Sequence, residues 1–294
     1  MSCSDRLAGL FLIAACTFSE SLNAHGVHIY LDDQLDYELF SSGDQQPLNI
    51  AGATNMFVLS QVEDVVVHYV KSSRKRAIKS LQQSNVAACN INMIKNEQRK
   101  SDYYFSLPVN FYWAHKLYSH HDLSKATDGL LNAEGEITSL PALFDAYDKS
   151  AIVIAENFSY GDFLDKQLAS ISAGNLILRG GEDHYQTVYR MFISNRVDFL
   201  LNYPAEFHRY SNNVDLPIRS YHIAGSPKVI IGHFMCNKTP TSKQFIATVN
   251  KILLNSYSGD AFLQAHLDYL PNEEHSLLKA YLEQYIKRNV HIKH

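Results

Sequence analysis

The chain has 294 residues, 46% hydrophobic and 19% charged, which excludes a disordered or coiled-coil chain and allows one large folded domain or two medium ones. Its 26 basic and 30 acidic residues give a formal net charge of -4, and no Lys/Arg-rich block offers the electrostatic footprint that nucleic-acid binding needs, so nucleic acid is not an expected partner. The 18 Tyr and 15 Phe, against one Trp, suit a core or a small-molecule pocket equally well.

Residues 1–24 carry Arg6 ahead of an apolar run over 7–18 and turn polar before Ala24, the shape of a signal peptide. The run falls short of the roughly 20 residues that span a bilayer as a helix, so export followed by release is expected. Ile13-Ala14-Ala15-Cys16 offers a second processing site, because it resembles the lipobox in which the Cys is acylated and anchors the mature chain. After cleavage Cys89 and Cys236 remain, 147 positions apart. In an oxidising compartment they can pair; the alternative is two buried free thiols, and spacing does not choose between them.

Val27 opens a first strand, followed by the polar stretch DDQLDYELFSSGDQQPLN, which reads as a long loop. Residues 53–62 have helical apolar spacing, 65–70 form a β-branched strand, 73–85 a basic-faced helix opened by Ser73, and 86–94 another strand. This βαβαβ order predicts a parallel sheet covered by helices. Residues 103–118 are aromatic and extended. The pattern then restarts with a helix over 140–147, a strand over 151–156, a helix over 159–169, a strand near 175–180, a helix over 183–195 and a strand over 197–203. Residues 228–235 form a last strand, and two helices follow, near 242–256 and 273–287. No Gly/Ser/Pro linker separates the two α/β units, so their connections are expected to be ordered strands.

Three stretches in order, SRKRAIKSLQQSNVAACNINMIKNEQRKSDYYFSLP, AIVIAENFSYGDFLDKQL and YRMFISNRVDFLLNYPAEFHRY, resemble the family 3 extracellular solute-binding proteins. In that family an Arg six residues before Phe-Ser-x-Pro precedes the crossover between lobes; here these are Arg99 and Phe105-Ser106-Leu107-Pro108. The resemblance covers essentially the whole mature chain. It implies an α/β, two-lobed type II periplasmic-binding-protein fold, each lobe a central sheet with flanking helices. Lobe 1 is expected from 25–112 and 232–294, lobe 2 from 113–231. It also implies a periplasmic monomer that closes on a small-molecule solute and presents it to a membrane permease or receptor, without cofactor or catalysis.

Arg99 is the first expected ligand contact, since a guanidinium meets a carboxylate bidentately and the matching family Arg does so; a surface pairing with Glu97 or Asp102 is the structural alternative. Ser159, with the N–H groups of Tyr160 and Gly161, begins a helix and suits either an anion or a plain N-cap. Asn157 replaces a family Gly there, a change that left-handed backbone tolerates in Asn. Amino-acid binders carry an acid where this chain has Tyr203. That puts a standard α-amino acid in doubt, leaves Glu206 as a substitute, and favours a carboxylate-bearing or aromatic-friendly solute stacked by Tyr203, Tyr160 or Tyr30. Asp198 reads as structural. His120-His121-Asp122 lacks metal-ligand spacing, and no GxSxG elbow, Walker loop or GxGxxG appears. The competing functions are a sensor module of the same fold and an enzyme using Glu206 or His233 in the cleft.

Overall fold

The computed structural model describes residues 26–43, 45–123, 129–211 and 217–290. The expected signal segment and Cys16 lie outside these residues.

Two sheets organise the molecule. The first contains β1 (Val27–Leu31), β2 (Val67–Lys71), β3 (Ala88–Ile94), β4 (Tyr104–Phe105), β5 (Asn110–Trp113) and β11 (Val229–Cys236). Its order is β2-β1-β3-β11-β4, with β5 on the other end of β11; β1 runs parallel to β2 and β3, and β11 antiparallel to all its neighbours. The second contains β6 (Lys116–Ser119), β7 (Ile152–Ala155), β8 (Leu176–Arg179), β9 (Phe199–Asn202) and β10 (Arg219–Tyr221), in the order β10-β6-β9-β7-β8. Sheet membership moves the expected division between the halves slightly, because Trp113 and residues 229–231 pair within the first sheet.

The helices follow from local chemistry. The stretch read as a loop after β1 is helical over α1 (Gln34–Ser42): Asp33 Oδ1 accepts the Leu35 N–H at 2.9 Å and the Asp36 N–H at 3.3 Å, and Gly43, at φ 72°, ends it. Leu39 and Phe40 bury its inner face, so tertiary packing overrides a polar composition. Next come α2 (Ile50–Leu59), capped by Asn49, and α3 (Arg74–Gln83), followed by the short α4 (Glu97–Lys100). In the second half α5 (Leu140–Ala146), α6 (Asp162–Ala169), α7 (His184–Ile193) and α8 (Pro204–Ser211) cover the sheet. The chain ends with α9 (Pro240–Ser256), α10 (Asp260–Leu267) and α11 (Asn272–Asn289) packed on the first sheet; α8 and α10 are not among the expected helices. Among the described residues no helix is long and apolar enough to cross a membrane.

Each half has its own core. Val27, Ile29 and Leu31 alternate inward on β1 and join Phe111, Phe234, Phe245 and Phe262. In the second half, Leu117, Phe144, Ile152 and Phe199 fill one side of the sheet and Val153, Phe192, Leu200 and Phe207 the other. Cys89 and Cys236 occupy paired positions on β3 and β11, with Cα atoms 4.0 Å apart, and form a disulfide. Chain passes between the halves twice, through buried Ala114-His115 and through residues 222–228, and the Ala114 N–H donates to Lys228 O at 2.9 Å, tying the crossovers together.

Candidate ligand cleft between the two lobes

A cavity of about 680 Å³ lies between the lobes, within the range of small-molecule sites. Its lining brings together Asp32, Asp33 and Asp36 from the end of β1 and α1, Arg99 from α4, His115 from the crossover, Ser159 and Tyr160 before α6, and Tyr203 and Glu206 at the start of α8. Five of the residues expected from the sequence therefore meet in one place.

Arg99 is held by its own segment: its Nη1 donates to Ile94 O at 3.1 Å, and its N–H donates to Asn96 Oδ1 at 3.0 Å. Burial, and after it the charge of Arg74, lowers its pKa to about 10; Asp165 opposes this. A partly desolvated guanidinium gains more from an anion than one in water.

Ser159 and Tyr160 line the cavity with their hydrogen bonds already made. The Ser159 hydroxyl donates to Asp165 Oδ2 at 2.5 Å, the Tyr160 N–H donates to Asp165 Oδ1 at 2.7 Å, and Ser159 Oγ also accepts the Gly161 N–H at 3.2 Å. The chain's own carboxylate occupies the donors that an incoming anion would use, and Ser159 is not the N-cap of α6: that position is Gly161, and no side chain caps the helix. Asn157 adopts φ 65°, as expected of an Asn in this turn.

Tyr30 lies outside the cavity lining. Alternation along β1 turns it away from Ile29 and Leu31, toward Leu81, Met93 and Tyr103 on the opposite face of the sheet. His233 is also absent from the lining: its Nδ1 donates to Ser106 O at 2.9 Å and burial lowers its pKa to about 4. Asp198 is structural, accepting the Ala151 N–H at 2.8 Å. His120 bonds Phe192 O, His121 faces Asp198 at 3.4 Å and Asp122 pairs with Arg219 at 3.1 Å.

Tyr203 stands in an aromatic wall, its ring centroid 3.9 Å from His115, 5.5 Å from Tyr112 and 6.2 Å from Tyr185. Glu206 Oε1 accepts from Asn49 Nδ2 at 3.1 Å and Oε2 faces Arg209 at 3.5 Å; burial raises its pKa. Sequence reasoning missed Arg74, whose guanidinium grips Asp32 with Nε at 2.9 Å and Nη2 at 3.1 Å and lies 4.4 Å from the Phe158 ring centroid. It also missed Asp33, Asp36, His115 and His184. The Asp-x-x-Asp spacing right after a strand, Asp33 to Asp36, was the available signal. Burial lowers the pKa of both His115 and His184 to about 3, so both rings are neutral near pH 7.

The lobes touch across the cleft. Asp183 on lobe 2 donates its N–H to Asp32 O at 3.1 Å and accepts the Gln34 N–H at 2.9 Å. At the rim, Lys71, Lys75 and Arg76 of lobe 1 pair with Glu182 and Glu156 of lobe 2 at 2.8 to 3.3 Å. These pairs are solvent-facing and worth up to about 1 kcal/mol each. Reversing both acids together, Glu156→Lys with Glu182→Lys, is expected to open the cleft in solution and raise the radius of gyration in small-angle scattering. An unchanged scattering profile would remove the rim pairs as determinants of closure.

No family model and no curated protein matches the chain. Solved structures do. One, from work on glutathione import in Gram-positive bacteria via GshT and the cystine ABC importer TcyBC of Streptococcus mutans, is 14% identical with a TM-score of 0.59, over 85% of this chain and 98% of that one. An ancestral arginine-binding protein bound to glutamine is 12% identical with a TM-score of 0.58, over 85% and 99%. A histidine kinase sensor domain with similarity to periplasmic binding proteins is 12% identical with a TM-score of 0.58, over 83% and 95%. With two sheets, a double crossover and a cavity between the halves, the chain has the two-lobed α/β fold of the periplasmic binding proteins to which it is similar.

Proposed function

We propose that the chain is an exported, periplasmic solute-binding protein that captures a small polar, carboxylate-bearing solute between its lobes and presents it to an ABC-type importer. The observation that carries this reading is the 680 Å³ cavity, lined from both lobes, with the desolvated Arg99 among its walls. The similar structures named for ABC import and arginine binding support it. With the donors of Ser159 and Tyr160 engaged by Asp165, Arg99 is the main carboxylate contact in this proposal. The chain acts as a monomer without cofactor or catalysis, and the periplasmic site of action follows from the signal-like N-terminus.

A sensor role for the same closure is the second reading, favoured by the likeness to a kinase sensor domain. Solute binding is common to both, and coupling to a permease or to a receptor kinase separates them.

The test is a thermal-shift and calorimetric screen of the mature chain with amino acids, organic acids and polyamines, repeated with Arg99→Ala. A bound solute raises the melting temperature by mass action. Arg99→Ala is expected to weaken a carboxylate solute at least tenfold with little change in the unliganded melting temperature. Undiminished binding by the variant would take Arg99 out of the site.

A further inference from the structure

The first two strands of lobe 1 carry one histidine each at the same level. β1 and β2 run parallel, and their register sets His28 beside His68. Val27, Ile29 and Leu31 of β1 and Val67 and Tyr69 of β2 pack on the core, so alternation sends both imidazoles to the other face of the sheet. β2 is an edge strand, where His68 is exposed and the neighbouring His28 is half-buried. The pair lies away from the cleft: the cavity lining begins at Asp32, four residues beyond His28 and about 13 Å away at the rise of a strand.

Register fixes the two backbones, and the rings themselves converge. Their centroids are 5.5 Å apart, with an interplanar angle of 82°. Metal–nitrogen bonds of about 2.0–2.1 Å at a tetrahedral angle hold two imidazole centroids about 5 Å apart, so the pair stands within about half an ångström of a chelating spacing. The backbone leaves that spacing open. A Cβ at position 26 would come within 2.7 Å of His68 Cδ2 and Nε2, so any residue but Gly26 would press on the edge of the ring that bears a ligating nitrogen. Among the described residues neither ring takes part in a hydrogen bond or ion pair, so no neighbour competes for its nitrogens.

We propose that His28 and His68 form a two-histidine site for a divalent transition-metal ion of the zinc, nickel and copper(II) class, on the edge of lobe 1 and apart from the solute cleft. Imidazole nitrogen suits these ions, whereas magnesium and calcium take oxygen. Among the described residues no group of three or more His, Cys, Asp or Glu is placed to hold a metal ion, so water takes the remaining coordination positions and the ion exchanges with solution. The site is independent of the solute-binding reading.

Calorimetry on the untagged mature chain, titrated separately with zinc, nickel, copper(II) and magnesium chloride, tests this. At least one of the first three is expected to bind, at least tenfold more weakly in His28→Gln and in His68→Gln, while magnesium gives no heat beyond dilution. Two ligands of one ion act as a unit, so the double variant is expected to lose little more than either single one. Both histidines face solvent at least in part, so the variants are expected to melt with the wild type. Should one fold poorly, selective broadening of the His28 and His68 ring resonances by nickel reads the same site in the wild-type chain.

The sequence holds other imidazoles near its ends, His25, His291 and His294, outside the described residues. His25→Gln, and His291→Gln with His294→Gln, are expected to keep the ion. Binding lost in those variants but intact in His28→Gln and His68→Gln would assign the ion to the chain ends and overturn the proposal. Failure of all three transition-metal ions to bind would overturn it too, as would losses in the two single variants that merely add in the double one. None of these outcomes bears on the cleft, whose own test is the solute screen with Arg99→Ala.

Discussion

Replacing Cys89 and Cys236 together with alanine is expected to lower the stability of the oxidised protein by about 5 kcal/mol, the loop-closure contribution of a bridge between residues 147 positions apart. For a chain of this size that corresponds to a fall in melting temperature of roughly 10–20 °C. Alanine is the informative replacement, because both positions are fully buried and a serine hydroxyl there would add an unsatisfied polar group. The bridge joins β3 to β11, the central pair of the first sheet, and β11 also carries the pairing to β4 and β5. Dithiothreitol should move the wild type in the same direction and leave the double variant where it is. Identical melting of oxidised and reduced wild type would argue against a bridge that contributes to stability.

The second large effect belongs to the other half. Phe199→Ala is expected to cost about 3–5 kcal/mol. Phe199 is wholly buried in β9, between β6 and β7, and its ring meets Phe144 at 5.2 Å, His121 at 5.5 Å and Tyr147 at 5.9 Å. α5 with its C-cap Tyr147 and the segment after β6 close around that ring, so little collapse into the void is available and the cost belongs in the upper part of the range. Hydrogen exchange should locate the loss: amides of the second sheet lose protection while those of β3 and β11 keep it. Equal loss in both sheets would mean that the two halves open as one cooperative unit.

Much of this architecture was legible in the sequence because burial enforces period. The β-branched runs in β2 and β7 and the apolar spacing in α3, α7 and α9 mark elements whose inner faces have nowhere else to go. The Phe-Ser-x-Pro after Arg99 marked the approach to the crossover, and Arg99, Ser159, Tyr160, Tyr203 and Glu206 do share one cavity. Tyr30 failed by its place along β1: Ile29 and Leu31 face the core, Tyr30 packs on the opposite face, and the cavity lining begins only at Asp32, past the end of the strand. Composition hid α1, whose polar residues are those of a helix standing at the rim of a cleft, and with it Asp33 and Asp36. The pairing of Asp165 with Ser159 and Tyr160 was hidden for another reason: a cap and an anion site need the same donors, and only coordinates say which acceptor has taken them.

The position of β11 between β3 and β4 dictates an order of assembly. The chain must run through the entire second sheet before it supplies this interior strand, so the first 113 residues cannot complete their sheet when they emerge. Strands 116–221 are contiguous and complete theirs without waiting. As the chain appears from its N-terminus, the half made second is therefore the half that can finish first, and the earlier half stays incomplete until residue 236 returns to Cys89.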